Sequence, residues 1–142
     1  MTSRVVFARI SNSTIAVDEC LHAVERPAAG AVVTFAGVVR DHDAGRGVVS
    51  LDYEAHPSAG DVISFVAIRV ASEFEEVTIA VEHRSGSLVV GDLALSCAVS
   101  SAHRSEAFAA CARLVDAIKA EVPIWKLQRF TDGTEEWVAA HG

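Results

Sequence analysis

A chain of 142 residues, 51% hydrophobic and 22% charged, has the length of one ordinary domain and enough apolar side chain for a core, which excludes disorder. Twelve basic residues against nineteen acidic ones leave a formal charge of −7, which excludes a broad basic face for nucleic acid. The longest stretch free of ionised side chains, Pro27 to Val39, has 13 residues, short of the ~18 that span a bilayer.

The opening MTSRVVFARISNSTIAVDEC lacks a basic segment followed by an apolar run and a small-residue cleavage site, so no signal peptide and a cytoplasmic location are expected. Cys20, Cys97 and Cys111 are odd in number and match no CxxC spacing. Buried reduced thiols are expected, rather than disulfides or zinc ligands. The cations are unevenly chosen: ten of the twelve are Arg, and the only lysines, Lys119 and Lys126, lie seven positions apart.

In chain order, Val5 to Ile10 reads as a first strand and Val17 to Glu25 as a short helix. Pro27 to Gly30 breaks the chain before Ala31 to Val39, a Val-rich run typical of a buried strand. Arg40 to Gly47 reads as a polar loop. In the strand Val48 to Ala55, Val49, Leu51 and Tyr53 share one face. Pro57 suits the first turn of a helix running to about Phe74. Val77, Ile79 and Val81 alternate in the next strand. Gly86 and Gly91-Asp92 punctuate two more, the second carrying Leu93, Leu95, Cys97 and Val99 on one face.

His103 to about Glu121 is the strongest helix, with Phe108, Cys111, Val115 and Ile118 as its apolar stripe and Pro123 as its stop. Ile124 to Phe130 and Glu135 to Ala139 form a hairpin around Asp132-Gly133. Direct hairpins mixed with helical excursions predict an α+β fold on a largely antiparallel or mixed sheet, with residues 1–142 as one domain. No glycine-rich phosphate loop stands at a strand-to-helix turn.

Four places concentrate polar groups. Arg40-Asp41-His42-Asp43 follows the buried strand and is either a solvated turn or a group presented by a rigid scaffold. Consecutive Asp41, His42 and Asp43 point to alternating sides and have no second cluster, so no metal is expected. Ser100 to Ser105 holds His103 and Arg104 at a helix start, where unpaired N–H groups favour an anion and cations are locally unfavourable. Either a serine caps that helix and the cations point into water, or the broken rule marks a site. Lys119 lies 11 positions after Phe108, hence within ~20° of the proposed stripe, and Lys126 follows in the next strand. Each is either a solvated cation or, partly desolvated, a group able to move a proton as Arg cannot.

Taken together, GAVVTFAGVVRDHD, LDYEAHP, EHRSGSLVVGD, SSAHRSEAFAAC, IKAEVPIWKLQ and DGTEEWV occur in an order and spacing that resemble the MoaE family from Gly30 to Val138. Members of that family are the large, catalytic subunits of molybdopterin synthase. The resemblance implies an α/β-hammerhead type of α+β fold and a homodimer that forms a heterotetramer with a small ubiquitin-like sulfur carrier ending in a Gly-Gly thiocarboxylate. The implied sulfurtransferase reaction moves two sulfurs onto cyclic pyranopterin monophosphate, giving the dithiolene of molybdopterin, with no separate cofactor.

By matching motif, the resemblance implies substrate contacts at Val38, Val39, Arg40, His103, Arg104, Lys119, Lys126, Leu127 and Gln128, with Lys119 and Lys126 catalytic. Three positions depart from the family pattern. Val38 stands where many relatives have Lys, Leu127 where many have Arg, and the tail WVAAHG lacks an arginine often found there.

Spacing adds a geometric expectation. Arg104 and Lys119 are 15 positions apart on one helix, ~22 Å at 1.5 Å per residue, too far for one small pterin. A composite site at a two-fold interface is therefore predicted, with His103 and Arg104 from one chain and Arg40, Lys119 and Lys126 from the other. The rival from another class is a non-catalytic dimeric module that binds a small anion or a partner's C-terminal tail. It explains the Arg and His groups but has no use for two lysines near the helix end.

Overall fold

A computed structural model describes residues 3–139 of the chain. Residues 1, 2 and 140–142, which include the end of the WVAAHG tail, lie outside the described residues. The elements are β1 (Arg4–Ser11), α1 (Val17–Ala23), β2 (Ala31–Val38), β3 (His42–Asp43), β4 (Arg46–Ala55), α2 (Ala59–Ser72), β5 (Val77–Arg84), β6 (Gly86–Val89), β7 (Leu93–Ser101), α3 (Arg104–Glu121), β8 (Ile124–Phe130) and β9 (Glu135–Ala139). They build a mixed α+β fold on two sheets. The first has the order β1-β5-β7-β2, and in the second β3-β4-β8-β9 run side by side with β6 also on β4. Only the β1–β5 pair is parallel; the other pairings are antiparallel.

The central strands β5 and β7 are buried on both faces, because helices cover each side. On one face Ile79, Val81, Leu95, Cys97 and Val99 meet α2 and α3; on the other Ala80 and Ala98 meet Cys20 and Val24 at α1. Small side chains let the helices approach closely, and each fully buried Val, Leu or Ile contributes about 1.5–3 kcal/mol by leaving water. Cys20, Cys97 and Cys111 are buried and free. Among the described residues no helix is long and apolar enough to cross a membrane.

Three sequence expectations need correction. Arg40 to Gly47 is not simply a loop: His42 pairs with Gly47 and Asp43 with Arg46 around the two-residue turn Ala44-Gly45. Both turn residues have positive φ, 50° and 79°, the mirror-image turn whose twist matches a hairpin. In β4 an irregularity between Val48 and Ser50 resets the alternation, so Val48 and Leu51 are buried while Val49 is 53% exposed. On α3 the buried stripe is Ala107, Ala110, Cys111, Leu114, Ala117 and Ile118, and Phe108 is 61% exposed. The alanines seat the helix on the sheet, and the larger Phe108 points away.

Gly30 shows how tightly β2 passes the start of α3. A Cβ there would lie 2.8 Å from the carbonyl oxygen of Ala102, the residue before His103. Only glycine fits that approach without moving backbone.

Candidate functional site

The two sheets and the end of α3 enclose a cavity of about 350 Å³. Each wall follows from a local rule. The β2–β7 ladder shifts register between Gly37 and Val38, and such a bulge turns the strand end. Val38 is thereby left exposed, Val39 is buried against Leu51, Leu88 and Ala94, and Arg40 reaches the cavity mouth. Backbone bonds Val39 N–H to Asp92 O (3.0 Å) and Gly91 N–H to Val39 O (2.9 Å) hold this end in place. Arg40 donates to Asp43 at 3.4 Å.

Strand alternation supplies the next wall. On β8, Lys126 and Gln128 line the cavity, while Leu127 lies one residue out of phase with them. Pairings Leu127 to Trp137 and Trp125 to Ala139 place these residues on the opposite face of the sheet, where Trp125 and Trp137 are exposed. On β4 the residues that line the cavity are Val48, Leu51 and Tyr53.

The third wall is the end of α3, where Lys119 follows the buried Ile118. Lys119 is exposed and belongs to no buried stripe; it reaches the cavity from the helix's last turn.

The electrostatics are cationic. Burial pushes the Lys126 ammonium below the usual lysine range, and the Arg40 and Lys119 charges push the same way against the opposing pull of Asp43. His83, at the end of β5, is 7% exposed and lines the same cavity. Burial lowers it to about 4, with a smaller contribution from the Lys119 charge, against the hydrogen bond to the Arg84 carbonyl. Its ring stands edge-on to Tyr53, centroids 5.1 Å apart. Beside the cavity mouth, Asp41 is held below the ordinary carboxylate range by its 2.8 Å bond to His42. Among the described residues no group of three or more His, Cys, Asp or Glu side chains is arranged to hold a metal ion.

Of the residues singled out in the sequence, Val38, Val39, Arg40, Lys119, Lys126 and Gln128 come together around this cavity. His103 and Arg104 do not. They are exposed at the other end of α3, where His103 is the N-cap residue and makes no side-chain capping bond. The neighbouring serines do not cap the helix either: Ser100 donates to Val24 O at 2.6 Å and Ser101 to Glu76 O at 3.0 Å. Leu127, on the far face, also stays outside. Sequence reasoning missed His83, although it continues the alternating face of Val77, Ile79 and Val81, and that periodicity alone could have found it.

Fold and site thus define a mixed α+β protein with a cation-lined cavity at one end of a long helix and the exposed His103 and Arg104 at the other. A family model described as the MoaE protein matches residues 10–121, and the chain belongs to that family. It is 41% identical over 134 residues to molybdopterin synthase catalytic subunit 1 of Mycobacterium tuberculosis, covering 93% of this chain and 90% of that protein. Among solved structures, molybdopterin synthase from Staphylococcus aureus superposes with a TM-score of 0.86 at 30% identity, covering 92% of this chain and 96% of that one. The fold is also shared, with a TM-score of 0.67 at 17% identity over 96% of this chain and 89% of that one, by a Helicobacter pylori structure described as a complex of subunits 1 and 2 of molybdopterin-converting factor.

Proposed function

We propose that this chain is the catalytic subunit of a molybdopterin synthase. It moves sulfur from the C-terminal thiocarboxylate of a small carrier protein onto cyclic pyranopterin monophosphate, building the dithiolene of molybdopterin. The observation that carries the reading is the meeting of Arg40, Lys119, Lys126 and Gln128 in one cavity. Close relatives described as molybdopterin synthase catalytic subunits support it, and the two-subunit assembly described for the Helicobacter pylori protein supports a small partner.

The residue types suit the task. Arg40 can hold the substrate phosphate by charge-assisted hydrogen bonds. The carrier's sulfur forms a carbon–sulfur bond to the pterin side chain as a carbon–oxygen bond there breaks. Water then attacks the acyl carbon, breaking its carbon–sulfur bond and releasing the carrier as a carboxylate, and negative charge develops on the acyl oxygen in that attack. A cation at that point lowers the barrier, and a group of tunable proton affinity completes the proton traffic. Lys119 takes the principal role beside the acyl-sulfur. Lys126, its ammonium already disfavoured by burial and by two neighbouring cations, is the second acid/base and an anchor. Sulfur arrives on the partner, so the three buried cysteines have no relay to perform.

His103 and Arg104 enter through a second copy of the chain. The 18 residues of α3 separate them from the cavity of their own chain by ~20 Å or more. In a two-fold dimer, the α3 start of one chain completes the cavity of its partner, and each chain serves two sites. The test is incubation of the chain with thiocarboxylated carrier and pterin precursor. Dithiolene product is expected, and binding of both without turnover would overturn the reading in favour of a non-catalytic module.

A further inference from the structure

We propose that His83 is a positioning residue for Lys119: when the exposed Lys119 side chain turns into the cavity, its ammonium donates a hydrogen bond to His83 Nε2, which holds the cation there. The inference rests on the role of Lys119 given above. It starts from the tautomer. His83 Nδ1 lies 2.7 Å from the carbonyl oxygen of Arg84. A carbonyl only accepts, so Nδ1 carries the proton and Nε2 is left as a bare acceptor.

The orientation of that acceptor follows from two facts taken together. Nε2 has no hydrogen-bond partner among the described residues, yet among those residues no fully enclosed side-chain nitrogen or oxygen lacks one. Nε2 is therefore not enclosed, and the opening beside His83 is the cavity it lines. The ring cannot easily turn away: it is 7% exposed, tied at Nδ1 and packed edge-on against Tyr53.

Among the charged groups around the cavity, Lys119, Lys126, Arg40 and Asp43, it is the Lys119 charge that acts on His83. Lys119 itself has no ion pair or side-chain hydrogen bond among the described residues. A long, exposed ammonium with three donors, and a fixed lone pair in the same cavity, form a complementary pair. Burial holds the imidazole neutral down to about pH 4, so at neutral pH it attracts the ammonium and does not repel it.

Two variants test this. His83→Phe keeps a ring against Tyr53 and deletes the acceptor; His83→Gln restores an acceptor on a shorter frame. With thermal melts confirming that both fold, His83→Phe is expected to lower kcat about tenfold or more with little change in KM for the pterin, and His83→Gln to recover part of the loss. A His83→Phe kcat within about twofold of the parent, or equal loss in both variants, overturns the proposal. A second readout does not depend on turnover. Reductive methylation with ¹³C-formaldehyde labels only Lys119, Lys126 and the N-terminus. His83→Phe should displace the Lys119 resonance and leave that of Lys126 in place; an unmoved Lys119 signal also overturns it. If the parent chain makes no dithiolene while that resonance still moves, it is the proposed function that fails and the His83–Lys119 contact that stands.

Discussion

The two ends of α3 carry basic side chains in opposite settings. At the start, His103 and Arg104 sit exposed beside uncapped helix amides with no cavity of their own. At the end, Lys119 shares an open-mouthed cavity with Lys126, Arg40, Gln128 and His83. The first end has what an anion needs electrostatically but no cavity to receive it; the second offers a cavity but has only one arginine to hold phosphate. On the proposed function each end is half a site, and a rigid helix keeps the halves of one chain apart.

The largest expected effect breaks the two ends asymmetrically. On the proposed function Lys119→Ala removes a group that acts on the developing charge, so kcat for sulfur transfer should fall at least a hundredfold with pterin binding largely kept. On the same reading Arg104 contacts the phosphate in ground and transition states alike, so Arg104→Ala should chiefly raise KM. Steady-state kinetics of the two variants decide this, and equal kcat losses would show that the ends do not divide the work. Mixed dimers come next. Randomly reassorted Lys119→Ala and Arg104→Ala chains give half heterodimers, each with one intact site, so with pterin kept well below the KM of Arg104→Ala about a quarter of parental activity should return from two impaired parents. No recovery in mixtures shown to exchange subunits would confine the site to one chain.

Much of this geometry was legible in the sequence, and the rest was hidden for identifiable reasons. Lys119 and Lys126 stood out by composition, and the 15-residue gap to Arg104 separated the ends without any coordinates. On α3 residue size points to a stripe through Phe108, whereas Ala107, Ala110 and Ala117 do the packing and Phe108 faces out. Val49 was misplaced because a bulge leaves no trace in a period-two pattern. Leu127 came in by motif, and strand alternation with Lys126 would have set it on the other face. The Ala44-Gly45 turn was obscured by a non-glycine residue at a left-handed position.

Burial at the cavity end also predicts a stability signature that the solvated end does not supply. Folded His83 takes its proton only at about 4, whereas an unfolded imidazole does so near 6.5. Between those values the unfolded chain binds more protons, so this group's contribution is fully present above ~6.5 and is lost as pH falls toward 4, up to about 3 kcal/mol. Urea unfolding at pH 7, 5.5 and 4.5 should show the parent chain losing more stability than His83→Phe across that window. Parallel curves would mean that His83 is not held neutral by burial.

The smallest effect concerns the hairpin beside the cavity mouth. Ala44 sits at φ 50° followed by Gly45 at φ 79°, a turn in which asparagine before glycine is preferred because its short polar side chain tolerates the left-handed region. Ala44→Asn removes that misfit without adding the unfolded-state freedom that a second glycine would bring. It should stabilise the chain by about 0.5–1 kcal/mol, read as a rise of a few degrees in Tm. Because β3 carries His42 and Asp43 beside Arg40 and Lys126, the same variant probes whether the mouth must move. Unchanged kcat with higher Tm means that the cavity end works as a rigid wall. A fall in kcat alongside the gain in Tm would instead show that this hairpin opens to admit the carrier's tail, which the exposed start of α3 has no need to do.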